Sequence, residues 1–208
     1  LTFTVSGLVD GANETIVVDG KTITLGATGS GTTTTNGLSY TATVSGGTAT
    51  VVLSGGTLNA TATQALVNGI TYQNTNVDQP TAGNRVFTLT QVKDSGGVAN
   101  SGVDTTTLSV ASTVAVATVN DAPTLTATAA NPTFTEGLGA GVQGAAVSVF
   151  SGAAASTVET GQTITGLTFT VSGLVDGANE TIVVDGKTIT LGATGSGTTT
   201  TNGLSYTA

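Results

Sequence analysis

Leu1 to Ala42 reads LTFTVSGLVDGANETIVVDGKTITLGATGSGTTTTNGLSYTA, and Leu167 to Ala208 repeats it letter for letter. Two unrelated domains do not share a run of that length by chance. The chain therefore reads as a slice of a tandem array whose period is the offset from Leu1 to Leu167, 166 residues. Solenoid repeats recur every 20–50 residues or so. A period this long is the size of a whole domain. The duplication thus predicts beads on a string, each with its own core, and argues against one continuous spiral.

Period-two alternation shows what each bead is made of. Leu1, Phe3 and Val5 alternate with Thr2, Thr4 and Ser6, and Leu38, Tyr40, Ala42 and Val44 alternate with Ser39, Thr41, Thr43 and Ser45. Ala49, Val51 and Leu53 follow in the same rhythm. Such runs predict strands with one buried face and one hydroxyl-rich face in water. Gly46-Gly47 and Asp19-Gly20 sit between pairs of runs, where a tight hairpin turn requires residues tolerant of positive φ. Further strands are expected at Ile70–Gln73, Val86–Val92, Thr105–Val119, Ala146–Phe150 and Gln162–Ser172. One short helical turn fits Thr61 to Asn68, with a Thr cap and a left-handed stop at Gly69. Many short strands divided by Gly, Asn and Asp turns give an all-β fold, and a β-sandwich suits an array that needs its chain ends at opposite poles.

The stretch least like a strand is VNDAPT, Val119 to Thr124. Pro123 cannot donate to a ladder and holds Ala122 extended. With the boundary there, residues 1–119 are the C-terminal part of one repeat and 120–208 the N-terminal part of the next. A complete period is Asn120–Gly166 followed by the sequence of Leu1–Val119. Neither part then carries every strand of a sandwich, which leaves unpaired edges. Two arrangements follow: head-to-tail completion by another chain, or a fold-back of Asn120–Gly166 onto Leu1–Val119. A split of each period into two small sandwiches near Thr43 is a third.

Composition narrows the chemistry. Lys+Arg is 4 against Asp+Glu 12, a net charge of −8, so the basic footprint of a nucleic-acid binder or of an anionic-membrane partner is missing. No apolar run approaches the roughly 18 residues of a spanning helix, and membrane insertion of this segment is not expected. With no His and no Cys, the commonest general base and the strongest nucleophile are missing, and no Ser or Thr has an evident activating partner; a non-enzymatic role is expected. DGKT at Asp19 to Thr22 lacks the earlier glycine of a phosphate loop and reads as a hairpin turn. Threonine rows such as Thr33–Thr35 read as solvated strand faces. An acidic, cysteine-free, Thr/Gly-rich repeat points to a bacterial extracellular protein.

Calcium is the cofactor the sequence suggests. Its ligands are carboxylates, amide oxygens and backbone carbonyls. Asn120 and Asp121 sit at the boundary, Glu136 near the start of the period, and Asp94 and Asp104 near its end. In a sandwich whose chain ends lie at opposite poles, these places can converge between neighbouring domains. The alternative is that Asp94 and Asp104 shape a turn and Glu136 faces water.

VNDAPT, the preceding STVAVATVN, the TFTEG near the start of the period, and NGITYQN with PTAGNRVFTLTQVKDSGG together resemble the cadherin-like, Ig-like tandem repeats of giant bacterial surface adhesins, type I secreted and of RTX type. The resemblance covers essentially the whole period. It implies an Ig-like or cadherin-like extender sandwich, calcium at domain junctions, and a location outside the cell. It further implies a role in holding an adhesive tip, and any surface-glycan contact made by other parts of the parent, away from the cell. Under it, Glu136 matches the early glutamate, Asn120 and Asp121 the acidic linker, and Asp94 the acid near the closing strands. Ala117 and Val119 stand where further polar ligands belong. The partners expected are neighbouring identical repeats, in cis or head to tail. A strand-exchanged fibre or sheath subunit and a glycan or homophilic binding module are the alternative functions.

Overall fold

A computed structural model describes all residues, Leu1–Ala208. They divide into two compact units, Leu1–Gln162 and Thr163–Ala208. Strand accounts for 41% of residues and helix for 9%, so the fold is an all-β sandwich of antiparallel sheets.

The first unit opens with strands β1 (Thr2–Ser6), β2 (Glu14–Val18), β3 (Lys21–Thr24), β4 (Gly29–Thr32), β5 (Ser39–Ser45) and β6 (Thr48–Ser54). Helix α1 (Ala60–Asn68) leads into β7 (Thr71–Asn74), β8 (Gly83–Lys93) and β9 (Thr105–Val116). Six strands form one sheet in the order β4-β5-β6-β1-β8-β9, and three form the other, β3-β2-β7. Phe3 and Val5 of β1, Ala49 and Val51 of β6, Ile16 and Val18 of β2 and Leu66 of α1 share one buried core. That is the consequence of alternation: Thr2, Thr4 and Ser6 turn outward while Phe3 and Val5 turn inward.

Both hairpin turns form as the sequence requires. Asp19 and Gly20 have φ of 50° and 76°, and Gly46 and Gly47 have 55° and 73°, the left-handed pair of a primed two-residue turn. The helix differs from expectation at both ends. Its cap is Asn59, whose side chain accepts the Ala62 N–H at 2.8 Å, not a threonine. Gly69 stops it with φ −87°, outside the left-handed region.

After β9 come β10 (Thr124–Ala129) and β11 (Phe150–Ser156), which pair only with each other. Every residue of both is exposed. The expected strand at Ala146–Phe150 is thus displaced, starting at Phe150 and running on to Ser156. Two strands were not expected: β4 is Gly-Ser-Gly-Thr, wholly exposed and without apolar alternation, and β10, Thr-Leu-Thr-Ala-Thr-Ala, alternates but lies beside the Pro-containing boundary.

The second unit holds β12 (Thr181–Val184), β13 (Lys187–Thr190), β14 (Ser196–Thr198) and β15 (Ser205–Thr207). These are the duplicates of β2 to β5. Thr168–Ser172, identical in sequence to β1, forms no strand, which corrects the expected strand at Gln162–Ser172. The reason is tertiary. β1 is hydrogen-bonded between β6 and β8, whereas Thr168–Ser172 pairs with no strand.

Candidate functional site

The five residues singled out as cation ligands fall in three places. Asp94 and Asp104 meet where the β8–β9 hairpin opens: the Asp94 N–H donates to the Asp104 carbonyl at 2.8 Å. Asp94 Oδ1 accepts the Gly96 N–H at 2.9 Å. The Thr105 hydroxyl donates to Asp104 at 2.8 Å and Lys93 Nζ lies 3.1 Å from its other oxygen. The threonine hydroxyl, and then the lysine, hold the Asp104 carboxyl below the usual range. Lys93 already supplies the positive charge here, so this pair is a turn clasp and fits a cation poorly.

Asn120 and Asp121 are joined by a residue the sequence did not flag. The Asp121 N–H donates to Glu159 Oε1 at 2.5 Å, and Gln162 Nε2 donates to Asn120 Oδ1 at 2.7 Å. Glu159 Oε2 is buried and has no hydrogen-bond partner. The Asp121 carboxylate, the Glu159 carboxylate with its orphaned buried oxygen, and the Asn120 amide oxygen are the donor chemistry of a hard cation, which takes six to eight oxygens. Asn120, Asp121 and Glu159 fit calcium in kind. Glu136 lies in an exposed loop, joined to neither place by a hydrogen bond. No group of three or more acidic side chains converges in a metal-holding cluster.

The most enclosed polar chemistry lies elsewhere, and sequence reasoning missed it. Glu14 occupies a core-facing position of β2 and is fully buried. It accepts hydrogen bonds from Arg85 Nε, from the Tyr72 hydroxyl at 2.9 Å, and from the Val9 and Asp10 N–H groups at 2.8 and 2.9 Å. Arg85, on β8, is equally buried and reaches Asp10 Oδ2 at 3.3 Å and the Thr81 carbonyl at 3.0 Å. Asp10 in turn accepts from Asn74 Nδ2 at 2.6 Å and the Thr81 N–H at 2.9 Å. The network ties β2 and β7 of one sheet to β8 of the other. Burial opposes ionisation of Asp10, but the Thr81 and Asn74 hydrogen bonds and the Arg85 charge outweigh it and hold the carboxyl low. Burial, then the hydrogen bond to Glu14, push the Tyr72 phenol up to about 12. A buried charge pair with its remaining polar atoms satisfied is a structural clamp. The one signal for it was a lone glutamate in phase with Ile16 and Val18.

A second polar device is duplicated. Thr33 is buried, not a solvated face residue, and its hydroxyl donates to Asp19 Oδ2 at 2.5 Å. Asn36 reaches the same carboxylate through its N–H at 3.0 Å and its amide at 2.5 Å. Asp185, Thr199 and Asn202 reproduce this at 2.5, 2.9 and 2.5 Å. Asp19 and Asp185 are both held below the usual carboxylate range, Asp19 against an opposing burial effect and Asp185 chiefly by the Thr199 hydroxyl.

No protein-family model matches the chain, and neither the curated proteins nor the solved structures contain a match to it.

Proposed function

We propose that this chain is a non-enzymatic extender repeat of a bacterial extracellular adhesin or surface filament, whose task is to span distance by stacking β-sandwich modules end to end. The observation that carries the reading is the duplication of Leu1–Ala42 at a domain-sized offset. A sequence copied without change serves a role in which number and length matter. A self-contained core of β-branched and aliphatic residues and a surface of Thr, Ser and Gly suit a module that must persist outside the cell. Like neighbours are its partners in the row, and any adhesive contact with a surface glycan belongs to other parts of the parent.

Calcium enters as a stiffener of the junction. Asn120, Asp121 and Glu159 would hold it, and ligation would satisfy the orphaned Glu159 oxygen and fix the residues that follow β9. Binding to the folded state alone raises stability by mass action. The test uses polypeptides of two and three complete periods. Small-angle scattering should show the maximum dimension rising by an equal step per period, and excess chelator should lower the melting temperature. A dimension that does not grow with added periods overturns the extender reading. An unchanged melting curve in chelator overturns the calcium role alone.

A further inference from the structure

The two sheets are unequal, and the inequality leaves a groove. The six-stranded sheet extends through β8 to β9, whereas the smaller sheet stops at β7, whose only partner is β2. The inner face beyond β7 is uncovered. Tyr72 and Phe87, in edge-to-face contact with centroids 5.9 Å apart, line the groove with Phe3, Leu89, Val110 and Val114, and no charged residue lines it. Val110 is 59% exposed. Two unpaired strand edges, of β7 and β9, flank an apolar groove.

The β10–β11 hairpin is the converse. Thr124 to Ser156 contains one charged residue, Glu136, yet its apolar side chains face water: Leu125, Phe134, Val149 and Phe150, the last 61% exposed. Exposed apolar surface on this scale marks an interaction site. The hairpin offers what the groove lacks, namely apolar side chains to cover it and main-chain groups to pair an edge, with almost no charge to desolvate.

The period connects the two. Within it, the sequence of β1 follows directly on Asn120–Gly166, as Leu167 shows. Leu1 pairs with Leu53 at the end of β1, in the same sheet that floors the groove. A β10–β11 hairpin segment, ending at Ser156, is therefore followed along the array by the β1 sequence of the next groove-bearing sandwich, beginning at Thr168. We propose that the groove between β7 and β9 is the seat of the β10–β11 hairpin of a second copy of this chain. The contact is heterologous, joining hairpin to groove, so it propagates head to tail instead of closing a symmetric pair. It deepens the extender reading by naming the contact that joins modules.

Complementation tests it. The full 208-residue chain should self-associate with rising concentration in sedimentation. Val110→Asp spoils only the groove and Phe150→Asp only the hairpin; both positions are exposed, and circular dichroism checks that the fold is kept. Each variant alone should lose association. Mixed, they should recover it as a dimer that grows no further, because one intact hairpin and one intact groove remain. A wild-type chain that stays monomeric at every concentration overturns the proposal, as does a mixture that stays monomeric. So does a Phe150→Asp chain that associates like wild type. None of these outcomes touches the length-per-period measurement, so the extender reading stands or falls separately.

Discussion

At the scale of single residues, two buried polar devices set the sensitivity of this sandwich to mutation and to pH. Arg85 and Glu14 are each left charged in the core if the other is removed. Arg85→Met or Glu14→Leu should each cost about 3–5 kcal/mol in urea unfolding, and the double variant less than the sum of the two, because Asp10, which keeps its Asn74 and Thr81 hydrogen bonds, is then the one carboxylate of the network left without Arg85. A double variant at least as damaged as the sum of the singles would refute the clamp. The pH dependence follows from the carboxylates and the phenol. Asp10 and Asp19 lie below their ordinary value of 3.8 in the folded state. Their stabilisation is fully present above that value and is lost as pH falls through the folded values. Tyr72 has the opposite sign: raised from 10.0 to about 12, it favours folding below the lower figure, and that contribution is lost as pH climbs through the upper one. Melting temperature should thus hold through neutral pH, fall below about pH 4 as the carboxylates protonate, and fall again above about pH 10. Asp19 was legible as a turn residue, but not as the acceptor of Thr33 and Asn36, since a pairing across a loop leaves no periodic trace. Arg85 and Glu14 were illegible for a similar reason: each is one polar letter in an apolar rhythm, and only the approach of two sheets makes them partners.

At the scale of elements, one sequence exists in two states. Thr2–Ser6 is a central strand; Thr168–Ser172, with the same letters, is not a strand at all. The duplicated hairpins β2–β3 and β12–β13 form in both places with the same register, because a tight Asp-Gly turn and the Asp–Thr–Asn staple are local. β1 and its duplicate differ because a central strand takes its hydrogen bonds from segments far along the chain. Amide hydrogen exchange checks this directly. The peptide Leu1–Ser6 is identical in mass to Leu167–Ser172, so their shared isotope envelope should be bimodal, with one half protected and the other exchanging at once. A single protected envelope would mean that both copies are strands. The same division explains the reading of α1. Asn59 caps it through a side-chain bond over three residues, which a helix start of Asn-Ala-Thr permits as readily as Thr. The exposed strand β4, Gly-Ser-Gly-Thr, has no buried face to impose an alternating pattern, whereas β10 carries the alternation Thr-Leu-Thr-Ala-Thr-Ala and was masked by the Pro-containing boundary beside it.

At the scale of the whole molecule, the sequence by itself determined the period, the all-β character, the tight turns and most of the core. Each of these rests on neighbours within a few residues or on letters repeated along the chain. The tertiary structure alone decided that Glu14 and Arg85 share a buried clamp, that Lys93 sits beside Asp104, and that Glu159 joins Asp121 from 38 residues away. It alone decided that the smaller sheet stops at β7 and leaves an apolar groove, while an apolar hairpin stands in water. Strand pairing and charge burial depend on which distant segments are present to meet. Of the two copies of one sequence, both keep the Asp-Gly turn, and the one paired with β6 and β8 forms the central strand.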